Sequence, residues 1–184
     1  MFEDNMNTVV QSMRLPFLIL TPVSVFLGYS LSFKSSEPIS LLDVFLVFIG
    51  ALSAHISVNT LNEYHDMQSG LDTKTQRTPF SGGSGALPDN PNAMTAVLYT
   101  GITMLILTVL IGLYFVLNLG LLLLPLGLIG VLIIVTYTQW LNRLPFLCLI
   151  APGIGFGTLM VIGTGVVLTG EYSMALFCLS MVSF

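Results

Sequence analysis

Apolar residues come in runs too long and too evenly hydrophobic for the core of a soluble domain. Residues 90–142 contain no Asp, Glu, Lys or Arg, and since about 20 apolar residues suffice to cross a bilayer as a helix, this run holds two spans. Asn118 and Gly120 mark the turn between them. The same test along the chain predicts helices near 15–33, 41–64, 93–116, 120–139 and 146–169, with a sixth beginning at Ser173. Only twelve residues remain from Ser173 to Phe184, too few to cross alone. The pattern predicts an all-α, polytopic transmembrane helical bundle of about five complete helices plus a truncated sixth, and the chain reads as an incomplete form.

Composition agrees: 54% of the 184 residues are hydrophobic, 8% are charged and the mean hydropathy is +0.92. This is an integral, multi-pass membrane protein. Cytoplasmic loops retain Lys and Arg, so an N-terminus on the cytoplasmic side, as in a cell inner membrane, puts Arg14, Lys74, Arg77 and Arg143 inside and Lys34 alone outside. The net charge of −4 mainly reflects acidic residues of the tail and of the loop after the second helix, and no basic patch points to a nucleic-acid partner. Glu3 and Asp4 ahead of Arg14, with no small-residue cleavage site before a full-length span, exclude a secretory signal. Cys148 and Cys178 lie in predicted helices without CxxC spacing or a nearby His and read as buried thiols.

Against this background the second predicted helix changes character. It begins "VFLVFIGALSA" and continues "HISVNTLNEYHD" within reach of the membrane. Residues 59–85 carry five of the fourteen charged residues. At about 100° per residue His55, Asn59, Asn62 and Asp66 share one narrow face, which Ser57, Thr60 and Glu63 do not. Polar side chains at such depth face the bundle interior or a water-filled cavity. His55 by itself reads as an interhelical hydrogen bond, a common use of His in membranes. Asn62 and Asp66, one turn apart and followed by Asp72, Lys74 and Arg77, read as an ion site.

The segment from Met67 to Asn92 is long for a bundle loop. Its "PFSGGSG" lets backbone approach a ligand closely but lacks the Lys-Ser/Thr ending of a phosphate-binding P-loop. Mg²⁺ held by few carboxylates needs substrate phosphates to complete its octahedron, and a diphosphate contacted by Mg²⁺, Lys and Arg is a good leaving group. Apolar spans beside such a site would house a lipid tail. The combination points to an isoprenoid diphosphate.

"NEYHDMQSGLD" resembles the first aspartate-rich motif of the UbiA superfamily of intramembrane prenyltransferases. The spacing of Asn62, Asp66 and Asp72 is most like the branch containing 1,4-dihydroxy-2-naphthoate polyprenyltransferase of menaquinone synthesis. "SMRLPFLILTPVSVFLGYS" is similar to that family's first helix, and "TYTQWLNRLPFLCLIAPGIGFGTLMVIGTGVVLTGEYS" to its fourth and fifth. The resemblance implies a helical membrane domain, here residues 1–184, with the first aspartate motif present and the second absent. It implies Mg²⁺ on Asn62, Asp66 and Asp72, which carry the reaction, and diphosphate contacts from Lys74 and Arg77. Asn59 and His55 would line the cavity above. Tyr137 and Trp140 sit where the fourth helix meets the interface, as belt anchors or as rings stacking on the substrate. The implied reaction transfers a prenyl group from a polyprenyl diphosphate to an aromatic or other lipophilic acceptor within the lipid bilayer.

Two other readings stay open. One is a small transporter or cation-binding protein using Asn62 and Asp66, against which stands the lack of a second copy of the polar helix. The other is a non-catalytic partner subunit, working with a second chain that supplies the missing aspartate motif. The "GIGFG" stretch, with Gly153 and Gly157 four apart, reads as a close helix-packing face.

Overall fold

The computed structural model describes residues 2–34, 38–71, 83–139 and 144–183. Among them every regular element is helical. Helix α1 spans Phe2–Ser12, α2 Leu20–Ser30, α3 Leu41–Ser69, α4 Ala86–Asp89, α5 Met94–Leu119 and α6 Leu124–Gln139. They are followed by α7 (Pro145–Pro152), a π-helical segment (Gly153–Leu159), α8 (Met160–Thr169) and α9 (Met174–Val182). The bundle is all-α, as the hydropathy pattern predicts.

Among the described residues three continuous helical stretches are long and apolar enough to cross a membrane: Leu41–Ser69, Pro91–Leu119 and Phe146–Thr169. The bent pair Glu3–Ser12 and Leu15–Ser30 passes the same test jointly, and Leu121–Tyr137 is a shorter apolar helix. The expected helix over 15–33 is thus a short 3₁₀ turn, Leu15–Ile19, feeding α2. Hydropathy does not foretell α1, because its residues are polar overall and its apolar positions fall on one face.

The 47° bend between α1 and the following helix has a local cause. Leu15 precedes Pro16, which disfavours helical backbone there. Arg14 adopts left-handed backbone, φ 55° and ψ 56°, at a cost of roughly 1–2 kcal/mol. The turn is stitched by Phe17 N–H donating to the Arg14 carbonyl at 2.9 Å.

Helix α3 is the spine of the bundle, packing along both α5 and α6. Ser40 caps its start by accepting the Asp43 N–H at 3.3 Å. Gly70, at φ 72°, ends it in the left-handed conformation that glycine adopts without strain. Helix α3 therefore runs five residues past the expected end at residue 64, and all of "HISVNTLNEYHD" is helical.

Two apolar clusters hold the layers. Val25, Val47, Ile111, Phe115, Leu123, Val161, Val166 and Leu176 fill the middle and far end. Val9, Leu87, Ala93 and Val97 clamp α1 and α4 onto the C-terminal half of α3 and the start of α5. The expected sixth helix is α9, started by Ser173, whose hydroxyl accepts the Leu176 N–H at 3.2 Å.

Candidate active site

A chamber of about 480 Å³ lies between α3, α5, α6 and the α7–α8 stretch. That is the size range of small-molecule sites, about 300–1,000 Å³. On α3 its wall extends from Val47 to Asn62, fifteen residues, or about 22 Å at 1.5 Å per residue. The walls are mainly apolar, interrupted by Thr108 and Thr164, and four larger polar side chains gather at one end: Arg14, Asn59, Asn62 and Tyr137. Tyr137 reaches this end because α6 returns antiparallel after the Gly120 turn and Tyr137 is in its final turn.

Asn62 Nδ2 donates to Asp66 Oδ2 at 2.6 Å. Asn62 lines the chamber; Asp66 stands one turn further on, with 7% of its surface exposed. The pair occupies the last turns of α3, where the helix dipole places partial negative charge and favours a cation. Among the described residues no group of three or more His, Cys, Asp or Glu could hold a metal ion. The donor set is instead one amide and one carboxylate, hard oxygen ligands of the kind Mg²⁺ takes when phosphate oxygens supply the rest. Asp72, Lys74 and Arg77 lie outside the described residues, as do Trp140 and Arg143.

The other sequence-predicted residues separate. Asn59 lines the chamber and donates from Nδ2 to the Met13 carbonyl at 2.9 Å, which ties α3 to the break after α1. His55 is 2% exposed and is not in the chamber wall. Its Nδ1 pairs with Thr21 Oγ1 at 2.8 Å, and its ring lies 4.1 Å from that of Phe156, which does form the wall. His55 is thus an interhelical bond behind the chamber, as its reading in isolation has it. Tyr137 lines the polar end, its hydroxyl 3.9 Å from Cys148 Sγ.

The residues that sequence reasoning passed over are Glu63 and Arg14. The Glu63 side chain is fully buried. Its Oε1 accepts from Arg14 Nε at 2.9 Å, from Arg14 Nη2 at 2.7 Å and from the Ser84 N–H at 2.6 Å. Its Oε2 accepts from Ser84 Oγ at 3.0 Å. One buried carboxylate therefore joins the break after α1, helix α3 and the segment leading into α4. The wheel separates Glu63 from the Asn62 face, but that second face is polar too: Ser57 Oγ donates to the Gly101 carbonyl at 2.9 Å, across to α5. The available signal was Arg14 itself, the only charged residue between Asp4 and Lys34.

No curated protein and no solved structure matches the chain. The profile of the UbiA prenyltransferase family matches residues 21–184. That match begins inside α2 and takes in the Asn62–Asp66 pair and all the helices around the chamber, so the chain belongs to the UbiA prenyltransferase family, whose general reaction is prenyl transfer.

Proposed function

We propose that this chain binds a polyprenyl diphosphate with its tail in the chamber and its head at Asn62 and Asp66, for Mg²⁺-dependent prenyl transfer to an aromatic or other lipophilic acceptor, as in quinone and menaquinone biosynthesis. One observation carries the reading: a long, mainly apolar chamber ends at an amide–carboxylate pair on the C-terminal turns of a membrane helix. An amphiphile with an anionic, metal-binding head and an unfunctionalised tail fits that arrangement.

Asn62 and Asp66, with Asp72 from the segment beyond, would hold Mg²⁺. When bound, Mg²⁺ neutralises charge on the departing diphosphate. Asn62 orients Asp66 by donating to its Oδ2. Arg14 lines the chamber's polar end with its charge balanced by Glu63, and Lys74 and Arg77 are proposed as the diphosphate contacts. In the reaction the bond between the prenyl C1 and the diphosphate oxygen breaks and its electron pair leaves with the diphosphate. An acceptor ring carbon then bonds to C1 and sheds its proton. Tyr137 faces the chamber near the breaking bond, where its ring can stabilise the allylic cation. The mainly apolar walls keep water from that cation.

The polar end belongs on the cytoplasmic side of a cell inner membrane: Arg14 lines it, and α3 and α6, which Lys74, Arg77 and Arg143 follow in sequence, both end on that side. The test is binding of a non-hydrolysable polyprenyl diphosphate analogue to the detergent-purified protein with and without Mg²⁺, followed by product analysis with a panel of aromatic acceptors. Saturable, Mg²⁺-dependent binding supports the reading. Equal binding of the corresponding alcohol without Mg²⁺ would sink it.

A further inference from the structure

Glycine in a helix interior is less favourable than alanine, so helical glycines need a reason. In several places the reason is contact. A Cβ added at Gly28 would meet the Val161 carbonyl oxygen at 2.6 Å, and one at Gly101 would meet the Leu61 side chain at 2.8 Å. Gly120 and Gly170 are needed for another reason, their positive φ values of 91° and 77°.

Four glycines have neither reason. A Cβ at Gly112 on α5, at Gly127 or Gly130 on α6, or at Gly155 in the π-helical segment meets nothing within 4 Å. All four line the chamber, and they come from three separate elements. Their missing side chains are the chamber's width.

They also lie at different depths. Gly155 adjoins Phe156, whose ring packs on His55, seven residues below Asn62 on α3, or about 10 Å at 1.5 Å per residue. Gly130 and Gly127 lie seven and ten residues below Tyr137 on α6, about 10 and 15 Å. Gly112 adjoins Ile111, which packs on Gly50, twelve residues below Asn62 and so about 18 Å deep. We propose that Gly155, Gly130, Gly127 and Gly112 set the bore of the chamber at successive depths, and so decide how long an isoprenoid tail it admits. This deepens, and rests on, the prenyl diphosphate reading of the same site.

The experiment uses leucine and alanine variants at each position, purified in detergent. It compares their binding of non-hydrolysable diphosphates bearing geranyl, farnesyl, geranylgeranyl and longer tails. Gly155→Leu and Gly130→Leu should weaken all but the shortest tails at least tenfold, Gly127→Leu the intermediate and longer ones, and Gly112→Leu only the longest. Tails that stop short of the substituted position should bind as to the wild type. The alanine variants should melt at or above the wild-type temperature, whereas Gly28→Ala should melt below it, which shows that the open positions carry no packing.

Uniform loss across all lengths in every leucine variant, or no change at any length, would overturn the proposal. So would dissociation of an oligomer on Gly112→Ala or Gly127→Ala, which would assign these glycines to contact between copies. If the wild type binds every tail and the variants keep its length profile, this proposal alone fails. If the wild type binds no prenyl diphosphate, the functional reading fails with it.

Discussion

Replacing Glu63 with Gln keeps the side chain's size and removes its charge. The Glu63 carboxylate is fully buried and accepts four hydrogen bonds, two of them from Arg14, whose side chain is 26% exposed. In the variant the guanidinium loses its counter-charge, and the new amide NH₂ meets groups that are themselves donors. Breaking a buried ion pair by changing one partner costs about 3–5 kcal/mol. The partial exposure of Arg14 places this case near the low end, at about 3 kcal/mol, which for a chain of this size lowers the melting temperature by roughly 6–12 °C. Thermal unfolding in detergent, followed by circular dichroism, measures it. The double variant Arg14→Met/Glu63→Leu removes both charges and leaves mainly the Ser84 N–H without its acceptor, a loss of about 1–3 kcal/mol. It should therefore be more stable than Glu63→Gln alone. Single variants that melt with the wild type, or a double variant whose loss equals the sum of the singles, would refute the buried-pair argument.

Asp66→Asn, and by the same reasoning Asp72→Asn, should lower prenyl transfer at least tenfold, about 1.4 kcal/mol on the barrier; wild-type rates at limiting Mg²⁺ would contradict the metal role. Thr21→Val should cost about 1 kcal/mol of stability through the lost bond to His55, and His55→Gln should reduce the rate less than Asp66→Asn does, because His55 lies behind the chamber wall; steady-state kinetics with matched melting curves separates the two effects. A cysteine at exposed Asp89, in a background lacking Cys148 and Cys178, should react only with membrane-permeant reagents in intact cells, and labelling by an impermeant reagent would reverse the orientation.

The long apolar runs made the bundle legible because lipid demands helices with every backbone group satisfied internally. The expected start of the span at Leu41 and its polar half at His55–Asp66 therefore stand in the structure as helix α3. Helix α1 escaped because its signal is one-sided periodicity rather than hydrophobicity. The Asn62–Asp66 pair was legible because residues four apart on a helix must meet. The Arg14–Glu63 pair was not, since forty-nine positions separate its partners and only the bend at Arg14 brings them together. The chamber was equally hidden. Its glycines look in sequence like helix-packing positions, and only the packed bundle shows which, like Gly28, touch a neighbour and which, like Gly112, face open space.

The central claim is that a prenyl diphosphate lies with its head at Asn62–Asp66 and its tail along the chamber. A geranylgeranyl diphosphate analogue with a photoreactive group at the tail terminus tests it directly, by mapping the cross-linked residues in the detergent-purified protein with Mg²⁺. The account predicts labelling of the far wall, in Ile111–Val116 and Leu123–Leu126, competed by unlabelled diphosphate and reduced at least tenfold by Asp66→Asn. Labelling confined to exposed outer residues such as Leu117 and Leu132, or labelling indifferent to Asp66→Asn, would contradict it.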